Sequence, residues 1–303
     1  KNMKHVLLAT TALAMTASFA AAEVSFSGKA QVAIVDDNGA FKDDGVSRSS
    51  DMQATSGFDL DIGISAASDN GVTMSLGFDM GAGELVDYDD DDQIEAQGKT
   101  IGDADVSVSY AGITVTVDQN GIDNLFDDTD GSQDMQISGS AGGVAFAFTS
   151  DWEGNTSSYS VGGSMGPLSA TLTGTDKDDA NGDATGVSLS YAMGDMKLSA
   201  SSSDESNNAE DDLSVGFSYT MGDLTASYTS IRPGSDGEMG DEYDAKVSYS
   251  VGALSASVNI DEADASTIIA NYNLGGGATA FAAMHDKPGE ASDLTAFGLT
   301  FSF

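Results

Sequence analysis

The chain has 303 residues, of which 49 are acidic and 11 basic, for a formal charge of −38, and it contains no cysteine. Phosphate neutralisation requires Lys and Arg, so nucleic acid is excluded as a partner. Without cysteine, neither a disulfide framework nor a lipid-modified N-terminal cysteine is available.

Lys1 and Lys4 precede an apolar stretch from Val6 to Phe19, followed by Ala20-Ala21-Ala22. Positive charge, apolar core and small-residue cleavage site, in that order, predict a secretory signal peptide over residues 1–22. Residues 23–303 then form one domain, with a formal charge of −40 once Lys1 and Lys4 are removed. Beyond residue 22 no apolar run is long enough for a membrane-spanning helix.

From residue 23 onward the sequence alternates at period two. Val24, Phe26, Ala30, Val32 and Ile34 fall on one face of the first strand, and Ser25, Ser27, Lys29 and Gln31 on the other. A second strand, ending in Phe58, Leu60, Ile62 and Ile64, turns at Ser68-Asp69-Asn70-Gly71 and returns with Val72, Met74, Leu76 and Phe78. Asn-Gly is a strong tight-turn signal. Further reversals fall near Gly112 and Gly142, at Gly166, Gly194, Gly222 and Gly252, and at Gly275-Gly276-Gly277. Around the four single glycines a similar segment recurs: GGSMGPLSATLT, SYAMGDMKLSAS, SYTMGDLTASYT and SYSVGALSASVN. The closing strand FGLTFSF places Phe297, Leu299, Phe301 and Phe303 on one face. Eight hairpins plus a first and a last strand make eighteen strands.

The polar residues of these strands are mostly Ser, Thr and Gly, a poor second core but a suitable water-facing surface. One apolar and one wet face, repeated this often, predict an all-β fold: a closed antiparallel transmembrane barrel around an aqueous lumen. The connections opposite the glycine turns are long and acidic, at residues 36–44, 81–98, 119–133, 176–183, 204–212, 231–241 and 286–292. Short turns on one rim and long loops on the other are an outer-membrane asymmetry, with the long loops outside the cell. Tyr191, Tyr219, Tyr249 and Tyr272 each lie three residues before a turn glycine, and Tyr110 lies two before Gly112. All five belong at one height on the apolar face, as an aromatic girdle at the periplasmic interface.

The start EVSFSG, the SRS around Arg48, the stretch YNLGGGATAFAA and the terminal FSF resemble general-diffusion porins of Gram-negative outer membranes, of the short alphaproteobacterial type. The resemblance implies a sixteen-stranded barrel, two strands fewer than the turns give. It also implies a homotrimer in outer-membrane lipid and lipopolysaccharide that passes ions and small hydrophilic solutes and requires no cofactor. Such porins end on alternating aromatics read by the outer-membrane insertion machinery, here Leu299, Phe301 and Phe303. Their third long loop folds into the barrel, which here is the segment 119–133. The resemblance thus places Asp123, Asp127, Asp128 and Asp130 at a constriction facing Arg48 on the wall. Strand parity adds Lys29, Lys197 and Lys246 to the lumen. With the acidic mouths, these residues predict cation preference.

Two other functions compete with this reading. A barrel-embedded lipase or protease needs a histidine beside a nucleophile, and beyond the signal peptide the only histidine is His285, expected at a loop edge. No catalytic residue is assigned. The run Asp87-Tyr88-Asp89-Asp90-Asp91-Asp92 offers carboxylates of the kind calcium takes, with Asp87, Asp89 and Asp91 as candidate ligands. An acidic calcium-binding surface adhesin is the corresponding reading, but the glycine-aspartate nonapeptide repeat of a calcium-binding β-roll is missing.

Overall fold

The computed structural model describes residues 22–36, 42–43, 46–47, 52–88, 94–98, 101–102, 104–126, 133–152, 156–177, 182–206, 211–234, 238–286, 288 and 294–303. Arg48, Asp89, Asp91, Asp127, Asp128, Asp130 and residues 1–21 of the proposed signal segment lie outside these residues.

The wall of the barrel is built from β1 (Glu23–Asp36), β2 (Gln53–Ala67), β3 (Thr73–Asp87), β4 (Asp105–Tyr110), β5 (Ile113–Ile122) and β6 (Gln133–Ala141). It continues through β7 (Val144–Ser150), β8 (Thr156–Met165), β9 (Leu168–Lys177), β10 (Ala184–Met193), β11 (Met196–Glu205) and β12 (Asp212–Met221). The remainder are β13 (Leu224–Arg232), β14 (Glu242–Val251), β15 (Leu254–Asp261), β16 (Ser266–Gly275), β17 (Ala278–Asp286) and β18 (Leu294–Ser302). Each strand pairs antiparallel with its chain neighbours, and β1 pairs with both β2 and β18, so the sheet closes. A short strand, Glu95–Gly98, adds to the far end of β3, and Lys42–Asp43 pairs with Val46–Ser47 in the first loop.

The barrel therefore has eighteen strands, as the turns require, and the sixteen implied by the resemblance is corrected. Each of the eight glycine turns joins two strands, which already makes sixteen. β1 and β18 belong to no such hairpin and pair with each other to close the ring. Closure removes both sheet edges and leaves no ladder open to lipid, where an unsatisfied backbone group is expensive. At the seam, Gly28 and Phe303 exchange both backbone hydrogen bonds at 3.1 Å.

Turn chemistry explains the hairpins. Gly166, Gly194, Gly222 and Gly252 have φ between +58° and +63°, while the Pro, Asp, Asp and Ala that come next do not enter the left-handed region. That is the φ pattern of a II′ turn, whose twist matches the flanking strands. On the opposite rim the sorting is less complete than expected, because residues 151–155 and 262–265 are also short connections.

Alternation sets the two faces. Val187, Leu189, Leu198, Val215, Phe217, Tyr228 and Val247 stand 42–47% exposed on the outside. So continuous an exposed apolar belt is untenable in water and suits lipid. Tyr191, Tyr219, Tyr249, Tyr272 and Tyr110 stand on the same outer face, 41–57% exposed, opposite Leu168, Met196, Leu224, Leu254 and Ile113 respectively.

Candidate functional site

The inner face is the candidate site. On β8 to β12 it carries Ser160, Gly162, Thr171, Ser188, Ser199, Ser201 and Ser214, and Lys197 shares a cavity with five of them. Lys197 alternates with the outward Met196 and Leu198, and Lys246 with Ala245 and Val247, so both side chains belong to the inner face. Lys29 lies there too, in register with Asp59 on β2 and Ser302 on β18.

The first residues of the third long loop turn into the barrel. Leaving β5, the chain passes through Asp123, which is exposed, to Asn124, which is only 2% exposed. Asn124 Nδ2 donates to Thr175 Oγ1 at 2.9 Å, and its Oδ1 accepts the amide of Phe126 at 2.9 Å. The Leu125 amide donates to Ser158 Oγ at 2.9 Å, and that hydroxyl also bonds Gln133 Oε1 and Thr149 Oγ1. Ser158, Thr149 and Thr175 are inward residues of β8, β7 and β9, each at most 5% exposed. They staple the start of the loop to the wall. Asp134 holds the far stem, accepting the amides of Asn120 at 3.0 Å and Trp152 at 2.7 Å.

Phe126 then reaches the inner wall of β9 and β10. It lines one cavity with Thr173, Gly186, Ser188, Ser201, Ser203 and Glu205. A methyl group at Gly186 would come within 3.3 Å of the Phe126 ring, so glycine there leaves the ring its place. Of the loop carboxylates named from sequence only Asp123 is described, so the structure does not place the others beside Arg48 or any lysine.

Sequence reasoning missed a different set of carboxylates. Asp59 and Asp61 on β2, Asp79 on β3 and Asp105 on β4 all fall on the inner face of three adjacent strands. Asp61 stands opposite Asp79, and Asp105 opposite Gly77, over which its carboxylate leans. The signal was available: in FDLDIGI and GFDM these aspartates alternate with outward apolar residues. They form a mid-depth acidic stripe, with Lys29 facing Asp59 as its nearest cation in the ladder.

His285 is the next-to-last residue of β17, at the loop edge expected, but its side chain is buried. It is 5% exposed on the inner face of β17, with Nδ1 3.0 Å from Thr267 Oγ1. Asp87 pairs with Glu95 across a short ladder, while Asp89 and Asp91 lie outside the described residues. Among the described residues no group of three or more His, Asp or Glu side chains is placed to hold a metal.

Comparisons with known proteins agree with this architecture. Two engineered variants of the porin of Rhodopseudomonas blastica superpose with TM-scores of 0.55 and 0.56 at 18% and 20% identity. Each alignment covers 92% of this chain and 100% of the other. At that identity the likeness shows the fold. No curated protein sequence matches. The family model for Gram-negative porins matches residues 9–289, nearly the whole chain. A strand-built, lipid-faced barrel with a polar interior and that match place the protein in the outer membrane, and the chain belongs to the Gram-negative porin family.

Proposed function

We propose that the protein is a passive, water-filled, cation-preferring channel for ions and small hydrophilic solutes. The acidic stripe of Asp59, Asp61, Asp79 and Asp105 carries this reading. By strand parity the described inner wall offers Lys29, Lys177, Lys197 and Lys246 against these four carboxylates and others such as Glu205, Asp212 and Asp244, and the long acidic loops add to the negative side. At about 0.15 M salt, charge is screened over ~8 Å, so the stripe outweighs distant loop charges. A negative lumen concentrates cations and slows chloride. Arg48, Asp123, Asp127, Asp128 and Asp130 remain the proposed constriction residues, with Arg48→Ala sharpening cation preference.

The test is the zero-current potential across a bilayer separating unequal KCl solutions. Potassium is expected to be the more permeant ion, most clearly at low ionic strength. Converting the four stripe aspartates to asparagine should bring a several-fold preference toward parity. A potential of the sign for chloride would refute cation preference and leave the channel intact.

Export by residues 1–22, a periplasmic tyrosine girdle and assembly as a homotrimer in lipid and lipopolysaccharide complete the proposal. Gly28, Ala30 and Ala54 near the seam allow close approach of neighbouring barrels. Light scattering of the detergent-solubilised protein should give three chains; one chain contradicts the trimer. Removing Phe303 deletes both seam bonds to Gly28 and a ring stacked 6.1 Å from Phe301, besides the aromatic end offered to the insertion machinery. The expected result is less heat-modifiable protein in the outer membrane, and wild-type levels would count against it.

A further inference from the structure

The end of β3 also turns into the lumen, and its position is marked by a fault in the expected alternation. The inner face of a water-filled barrel should be polar, yet Ala33, Val35, Phe281, Ala283 and Ala296 point inward and are at most 4% exposed. They are dry because the extended end of β3 lies over them. Val86 and Ile94, each 2% exposed, complete the same apolar cluster, with Tyr88 packed against it.

The backbone shows how β3 leaves the wall. Its first half pairs with β4, but Glu84–Asp87 pair instead with Glu95–Gly98, forming a separate hairpin. The change occurs at Gly83, which has φ +77° and stands opposite Gly57. A Cβ at Gly57 would lie 2.7 Å from the Glu84 carbonyl, and one at Gly83 would strike the Ser56 carbonyl. Two glycines facing each other thus permit a bend that no larger pair allows.

Polar contacts fix the hairpin once it is inside. The amide group of Gln31, 6% exposed, reads both backbone groups of Val86: Val86 N donates to Oε1 at 2.6 Å, and Nε2 donates to the Val86 carbonyl at 3.3 Å. The Tyr88 ring stacks on Phe281 at 4.2 Å and 4°, and its hydroxyl donates to Asn271 Oδ1 at 3.0 Å. These partners lie on β1, β16 and β17. The third-loop staple lies on β7 to β10, nine strands away in a ring of eighteen, which is the opposite wall. Both elements sit in the half of the barrel nearest the long loops.

We propose that the paired arms Glu84–Asp87 and Glu95–Gly98, with Tyr88 and Ile94, form a second constriction element, so that the lumen is narrowed from two opposite walls rather than one. Resting on the channel reading, the proposal makes Gln31 and Tyr88 positioning residues that set the size limit for hydrophilic solutes.

The experiment compares wild-type protein with two variants in planar bilayers in KCl: one joining Glu84 to Gly98 without residues 85–97, and Gln31→Ala/Tyr88→Ala, which keeps the hairpin but frees it. Deletion is expected to raise single-channel conductance about 1.5- to 2-fold as the free cross-section grows. The double substitution should give a smaller rise with greater open-channel noise. Wild-type conductance and noise in heat-modifiable double-variant protein would overturn the proposal, whether or not the deletion folds. A second readout does not need current. The chain lacks cysteine, so Val86→Cys alone should resist a bulky maleimide in otherwise wild-type protein and react rapidly in the Gln31→Ala/Tyr88→Ala background. Equal, rapid labelling in both would place Val86 outside the wall contact and also overturn it. Absence of current steps in the wild type would strike the channel reading itself, leaving the labelling result to judge the hairpin.

Discussion

Phe217→Arg is expected to destabilise the folded barrel by about 1–2 kcal/mol, the cost of a basic side chain on the lipid face between the interface and mid-membrane. Ser218→Arg, one residue along, is expected to leave stability near wild type and to change the current instead. Phe217 lies in the middle of β12, 42% exposed, between Leu198 on one neighbour and Tyr228 on the other. Its surroundings are apolar on both sides, so a guanidinium there has only hydrocarbon to contact. Ser218 points the other way, between Lys197 and Ser227, into a polar interior where a charge keeps its water. Urea unfolding in phosphocholine vesicles measures the difference. Equal losses from the two substitutions would mean that the faces of β12 are wrongly assigned.

Asn124→Leu tests the third-loop staple and should act on function rather than fold. Asn124 is buried, and its side chain hydrogen-bonds Thr175 and the Phe126 amide. Leucine keeps the branching without the polar atoms, so it removes these bonds and strands the part-buried Phe126 amide, at about 1–3 kcal/mol. Thr175 keeps its bond to the Ser157 carbonyl at 3.2 Å, so the wall is untouched. The loop should therefore detach while the barrel ladder remains intact. Expected results are an unchanged midpoint of heat modifiability, higher conductance and more open-channel noise. A loss of thermal stability with wild-type current would make Asn124 a fold residue instead.

Much of the architecture is local and was legible for that reason. A tight reversal between twisted antiparallel strands needs a left-handed residue, and glycine supplies it, so all eight turns could be located one by one. Face assignment came from parity. Strand number shows where this local evidence outranks analogy: sixteen came from the family resemblance, whereas the hairpins of this chain add up to eighteen.

The lumen was less legible because its arrangement depends on contacts between distant residues. Tyr88 meets Asn271 and Gln31 meets Thr300, separations of 183 and 269 residues, and no local pattern specifies either. Traces existed nevertheless. The run Val32-Ala33-Ile34-Val35 is apolar on both faces at the end of a strand otherwise apolar on one, which signals burial from both sides. Gly81-Ala82-Gly83 marks the bend. Asp59, Asp61 and Asp79 were readable from parity alone, but the denser carboxylates of the third loop drew the constriction away from them.

Whether this barrel is an open aqueous channel is decided most directly by single-channel recording of the purified protein in a planar bilayer. Discrete, reproducible conductance steps are expected without any added ligand, rising with KCl concentration. A correctly folded, membrane-inserted protein that produces no steps would contradict the channel.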